Sequence, residues 1–277
     1  MTVYPLIFNV GPLQLTGFGI MMMIGFLVAG WVSQKTLVER NLSPAYAEYL
    51  IIAAVVGGIV GAKLWYVALH GSQHLFNRGG LVWYGGFVGG AAAVLLNGWR
   101  VRVPTRFTME VGSFGLVLGH GLGRVGCFLV QDDYGVPTSL PWGMRFPEGY
   151  PATTAANLRL EGIQVPADAL PTDVLAVHPT QLYEVAALLF IFWLLWRLRN
   201  HQHAMGWLFG VYLVAVGIAR FLVEFIRAKD DRLLGVFTLA QAMSVAMILV
   251  GALLLNHWWK KDDFEIPKEA TILLQKH

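Results

Sequence analysis

Apolar residues dominate this chain in long blocks, and short polar or basic stretches break them at regular intervals. Seven blocks come close to the roughly 20 residues that a helix needs to cross a bilayer. They cover about 13–33, 45–69, 81–99, 107–130, 181–197, 206–225 and 235–258. Between the fourth and fifth, residues 131–177 are rich in Pro, Thr and Asp and hold no spanning stretch. That segment is too long for a turn, so it forms a small extramembrane domain or a lid. The pattern predicts an all-α polytopic membrane protein with seven transmembrane helices, one domain over 1–277 carrying 131–177 as an insertion.

Composition agrees with the pattern. Of 277 residues, 56% are hydrophobic and 13% charged, with a mean hydropathy of +0.57, which excludes an ordinary soluble domain. One cysteine excludes an internal disulfide and any multi-cysteine metal site. Residues 1–12 hold no Lys or Arg, so the basic start of a cleaved signal peptide is not expected. Internal repeats and low-complexity segments are not evident.

The distribution of positive charge sets an orientation. Lys35 and Arg40, then Arg100, Arg102 and Arg106, then Arg197 and Arg199, then Lys260 and Lys261 follow spans one, three, five and seven. The loop after span two has Arg78 alone, and that after span four has Arg145 and Arg159. The positive-inside rule then puts the N-terminus outside, the C-terminus in the cytoplasm and 131–177 outside. Arg220, Arg227, Lys229 and Arg232 break the rule at the outer end of span six. Something other than topology favours cations there.

Two stretches carry that chemistry. Gly119–Gly135, GHGLGRVGCFLVQDDYG, places His120 and Arg124 on one face of an apolar helix, with four glycines leaving the face open. An arginine at membrane depth faces a partner or a wet cavity; an interhelical ion pair is the plain alternative. Arg220, Glu224 and Arg227 recur at i, i+4 and i+7, one polar stripe on a helix. Glu224 can satisfy both neighbours, but three arginines against one or two carboxylates leave positive charge over. Guanidinium grips phosphate in a two-pronged fork, and phospholipid headgroups sit at this depth.

These stretches resemble the prolipoprotein diacylglyceryl transferase family. GLGRVGCF…DYG is similar to its signature, and PTSLPWGMRFP followed by HPTQLYE is similar to its periplasmic segment and the helix after it. ARFLVEFIR matches its Arg-x-x-x-Glu-x-x-Arg helix, and RGGLVWYGGFVGG its glycine-rich third helix. The resemblance spans essentially the whole chain and implies a multi-pass enzyme of the bacterial inner membrane, with periplasmic N-terminus and head. It would move the diacylglyceryl group of phosphatidylglycerol to the lipobox cysteine thiol of a preprolipoprotein. Glycerol phosphate leaves, and no cofactor, metal or nucleic acid is implied. Arg124 and Arg220 match essential arginines, Arg227 and Glu224 supporting positions, and Gly135 a turn glycine; Gln181, Tyr183 and Glu184 match a motif in which Glu184 can hold an arginine.

Four polar positions depart from the family. Tyr84 stands where the third helix has a candidate basic histidine, and Gly17-Phe18-Gly19 replaces Trp-Tyr-Gly. Cys127 replaces the signature Asn, and Asp132 aligns with its Glu in an altered QDDYG, where either Asp132 or Asp133 can fill the carboxylate place. A paralogue with another acceptor or lipid, or a non-catalytic phospholipid-binding protein, is therefore the alternative. His120 could supply the missing base or bridge two helices, and Tyr84 could bind an oxygen or simply pack. His178 caps or orients the start of span five. Cys127 reads as a small buried hydrophobe rather than a nucleophile. Trp31, Trp65, Tyr66, Trp83, Trp99, Trp258 and Trp259 read as interfacial anchors.

Overall fold

The computed structural model describes residues 1–10, 13–72, 75, 82–228, 232–233 and 237–260. Arg78, Leu81, Lys229, Gly235 and Lys261 from the sequence reading lie outside them, as do the side chains of Trp83 and Arg232. Eight helices are described: α1 Gly17–Glu39, α2 Ala45–His70, α3 Trp83–Arg100, α4 Thr105–Val130, α5 Ala155–Leu160, α6 Thr180–Leu198, α7 Trp207–Glu224 and α8 Leu239–His257. Six of them, all but α3 and α5, are long and apolar enough to cross a membrane. The protein is thus a polytopic helical membrane protein. Two short hairpins complete it, β1 Ile7–Val10 with β2 Leu13–Thr16 and β3 Arg232–Leu233 with β4 Phe237–Thr238.

The first helix starts later than its hydrophobicity predicts. Leu13–Thr16 is a strand paired antiparallel with Ile7–Val10, and the Thr16 hydroxyl caps the helix by accepting from Gly19 N at 3.2 Å. An apolar run alone does not tell strand from helix. At the far end of the chain, Phe237 and Thr238 likewise belong to a strand before α8 begins.

The chain divides into two compact units. One contains α2, α3 and the first parts of α4. There the glycines of α2 and α3 face each other: a Cβ on Gly61 would collide with the Gly85 carbonyl, and one on Gly85 with Gly61 O. Tyr46, Phe107 and Val111 centre its buried cluster, and Tyr46 and Thr108 hydroxyls share a hydrogen bond of 2.6 Å. Glu110, fully buried, joins Arg40 at 3.2 Å and accepts from Gly206 N at 2.8 Å and Leu208 N at 3.3 Å. That carboxylate satisfies orphan amides at the start of α7. Trp258 is buried here, not an exposed anchor, while Trp31, Trp65, Trp99 and Trp259 are exposed.

The other unit contains the end of α4, residues 131–177, α6 and most of α7 and α8. Residues 131–177 fold around Tyr134, Phe146, Leu158 and Val177. The first residues of the chain dock on them: Val3 N donates to Arg145 O at 3.0 Å and Arg145 N to Met1 O at 2.8 Å. Buried Gln131 donates its amide to Val3 O at 2.8 Å. Glycines on α7 and α8 bring those helices together, with Gly217 facing Ile248 and Gly251 facing Leu213 and Val214.

Candidate active site

Where α4 ends decides where its charges go. Gln131 adopts φ +64° and Asp133 φ +58°, a left-handed turn that stops the helix. Asp132 N returns to Cys127 O at 3.2 Å. The turn folds the two aspartates back beside Arg124. Their backbone is pinned by α6, with Thr180 Oγ1 donating to Asp133 O at 2.7 Å and Gln181 Nε2 to Asp132 O at 2.5 Å.

The sequence stripe Arg220–Glu224–Arg227 is not continuous helix. α7 ends at Glu224, and the next residues bridge to the segment after α4. Val136 N donates to Ile226 O at 2.9 Å, Ala228 N to Tyr134 O at 3.2 Å, and Gly135 pairs with Arg227. The backbone leaves the helix because strand-like partners from 134–136 satisfy the Ile226 carbonyl and the Ala228 amide instead. Gly135 permits this approach: a Cβ there would lie 2.5 Å from Ile226 O and 2.8 Å from His178 Cβ.

Three guanidiniums converge as a result. Arg124 Nε meets Glu184 Oε2 at 2.7 Å and its Nη1 meets Asp133 Oδ2 at 2.8 Å. Arg227 Nη2 pairs with the other Asp133 oxygen, and its Nη1 lies 3.6 Å from Glu224 Oε2. Arg220 Nη1 meets the same Glu224 oxygen at 2.6 Å. The expected charge surplus is therefore absent among these groups: Asp133, Glu184 and Glu224 match the three arginines. Local spacing shows only Glu224, because Asp133 and Glu184 come from other elements.

The two aspartates are not equivalent. Burial works to raise the Asp133 carboxyl, but Arg227 and Arg124 outweigh it and hold it below the usual carboxylate range. Burial, reinforced by the Asp133 charge, pushes Asp132 upward. Arg124 Nη1 lies 3.8 Å from the Cys127 sulfur. Cys127, Asp132 and Asp133 place donor atoms within 4.8 Å of one another. Two guanidiniums already grip Asp133 there, which opposes a divalent cation at that spot.

His120 Nε2 lies 3.9 Å from Glu184 Oε2, beyond hydrogen-bond length. His120, Glu184, Leu188, Val216, Ala219 and Arg220 line a cavity of about 10 Å³, room for about one water. Phe18 packs its backbone and ring 3.1 Å from where a Gly126 Cβ would sit. Tyr84 belongs to α3, in the other compact unit, with its side chain exposed. His178 makes no helix cap; its Nδ1 meets Tyr183 Oη at 3.1 Å, and Trp142 Nε1 donates to that oxygen at 2.8 Å. The sequence leaves open which of Asp132 and Asp133 serves the arginines, and the structure puts Asp133 on them. The signal was the doublet of acids at the end of an arginine-bearing helix.

The model of the prolipoprotein diacylglyceryl transferase family matches residues 5–257. The chain belongs to that family. A phosphatidylglycerol–prolipoprotein diacylglyceryl transferase of Photorhabdus laumondii is 32% identical over 273 residues, covering 91% of each chain. One of Proteus mirabilis is 31% identical over 292 residues, 96% of this chain and 95% of the relative. One of Wolbachia pipientis subsp. Culex pipiens is 29% identical over 270 residues, 92% and 94%. The match covers the arginine cluster, residues 131–177 and all six apolar helices in full.

Proposed function

We propose that the protein transfers the diacylglyceryl group of phosphatidylglycerol to the lipobox cysteine thiol of preprolipoproteins, at the outer face of the bacterial inner membrane. α3 is the seventh span: its 18 residues suffice in length, and Gly, Asn97 and Arg100 lower its hydropathy while its glycines pack on α2. Basic residues after spans one, three, five and seven favour a periplasmic N-terminus and a cytoplasmic C-terminus. Residues 131–177 then form a periplasmic head within one transferase domain, 1–277.

The observation that carries the reading is the convergence of Arg124, Arg220 and Arg227 from three segments onto one spot, in a chain of this family. The thiolate sulfur attacks the glyceryl carbon; a C–S bond forms, the C–O bond to phosphate breaks, and glycerol phosphate departs with the electron pair. Charge grows on the leaving phosphate, and Arg124 and Arg220 are positioned to stabilise it. Glu184 and Glu224 hold those guanidiniums in place, Arg227 adds a third cation for the headgroup phosphate, Gly135 admits the bridge that carries Arg227, and Asp132 lies beside Cys127. The thiol needs a base or a positive field to ionise; His120, at the cavity shared with Arg220, is the candidate, and Tyr84 is a candidate oxygen contact.

Transfer of radiolabelled diacylglyceryl from phosphatidylglycerol to a lipobox peptide tests this. Wild type should label the peptide cysteine, and Arg124→Ala and Arg220→Ala should not. His120→Ala decides whether that imidazole takes the thiol proton. Wild type that binds phosphatidylglycerol yet labels no peptide would overturn the assignment in favour of another acceptor.

A further inference from the structure

Each arginine of the cluster has a carboxylate, but the three carboxylates are held differently. Glu184 and Glu224 are buried, with side chains 6% and 1% exposed, whereas Asp133 is 38% exposed. Asp133 also spans two guanidiniums from different segments, one oxygen on Arg124 and the other on Arg227. Its two oxygens therefore sit where two oxygens of a phosphate would sit in a forked contact.

Removing Asp133 would not strand either arginine. Arg124 keeps Glu184, and Arg220 and Arg227 share Glu224. What remains is three positive charges against two negative, a site short of one anion. A phosphodiester carries one negative charge.

We propose that Asp133 is an internal stand-in for the lipid phosphate: its carboxylate bridges Arg124 and Arg227 in the resting enzyme and leaves them when the phosphodiester binds. This rests on reading the arginine cluster as the phosphate site. The exchange keeps the buried cluster neutral throughout, so the guanidiniums never face each other unscreened in apolar surroundings. A side-chain rotation suffices, because Thr180 and His178 hold the backbone at Asp133 and Gly135. The product has an opposite fate. A phosphate monoester carries close to two charges near neutral pH, overfills the site, and is displaced as Asp133 returns.

The test uses full-length protein in phosphatidylcholine nanodiscs, titrated with phosphatidylglycerol, with glycerol phosphate as the competing anion. Asp133→Asn and Asp133→Leu should each bind phosphatidylglycerol more tightly, by roughly tenfold, with a lower KM. Glycerol phosphate should inhibit both at correspondingly lower concentration. Equal or weaker binding in the isosteric Asn variant overturns the proposal and makes Asp133 a fixed support. Arg124→Ala separates the two ideas: unchanged phosphatidylglycerol binding there refutes the phosphate site itself, whatever the Asp133 variants do.

Discussion

Glu184 reaches across from α6 to Arg124 on α4, its Oε2 2.7 Å from the guanidinium Nε. The carboxylate is buried, and it leaves the outer edge of Arg124 for Asp133. Breaking a buried pair by removing one partner costs about 3–5 kcal/mol. Glu184→Ala should therefore lower both the melting temperature and turnover, the latter by at least roughly a hundredfold if Arg124 must be held to act. Glu184→Gln, which keeps an acceptor oxygen, should recover much of the stability and less of the activity. Equal loss of both in the two variants would make the role purely structural.

Arg220 is tied to Glu224 one turn along α7, and Arg227 reaches the same oxygen from beyond the helix. Lys at 220 would keep the charge but lose the planar fork. Arg220→Lys should fold normally and lose roughly 10²–10³ in kcat, with a smaller change in KM. A variant within a few fold of wild type would mean that charge alone suffices.

Much of this was legible in the chain, for physical reasons that differ by element. The spans of α2, α4, α6 and α7 follow from hydrophobic length, and their predicted bounds agree with the structure within two residues. Arg124 and Arg220 were legible because a cation in an apolar helix has to be compensated. The β1–β2 hairpin was not, since Leu13–Thr16 continues the apolar run without a break in composition. Nor was the exit of the chain at Glu224: helical spacing extrapolates to Arg227, but the competing hydrogen bonds come from residues 134–136, ninety positions away. The same non-local pairing hid the role of Asp133, whose partners lie on two other segments. Local pattern reports on one element at a time, and charge balance is a property of several.

Gly135 has no room for a side chain. A methyl group there would meet Ile226 O at 2.5 Å and His178 Cβ and Thr180 Cγ2 at 2.8 Å, backbone and framework atoms that cannot swing aside. Overpacking of this kind costs about 1–3 kcal/mol. Gly135→Ala should lower the melting temperature and, by displacing the strand-like bridge, shift Arg227 from Asp133. Transfer activity measured per folded protein should fall further than stability alone accounts for.

Glu110 tests a buried carboxylate outside the arginine cluster. Its buried carboxylate serves Arg40 and two backbone amides at the start of α7 at once. Glu110→Ala should cost about 3–5 kcal/mol, read as a lower melting temperature in detergent. Arg40→Ala should cost less, because Arg40 is partly exposed and both amide bonds to Glu110 remain. The reverse order would show that the ion pair, not the helix cap, dominates.

Acid should act on Asp132 and Asp133 with opposite signs. The arginines hold Asp133 below its unfolded value, so its ionised form is favoured by folding. Its contribution is complete above the usual carboxylate value near 4 and is lost as pH falls through the lowered native value. Asp132 is raised, chiefly by burial and then by Asp133. Its contribution is complete below the unfolded value and is lost as pH rises through the native one. At neutral pH the raised Asp132 therefore weakens the fold, while Asp133 supports it. Melting curves recorded from pH 3 to 8 in one detergent should separate them. Asp132→Asn should melt higher than wild type at pH 7 and converge with it in acid. Asp133→Asn should melt lower at pH 7, with the gap closing only below the usual carboxylate range. Parallel curves for the two variants would mean that neither carboxyl is tuned by its neighbours.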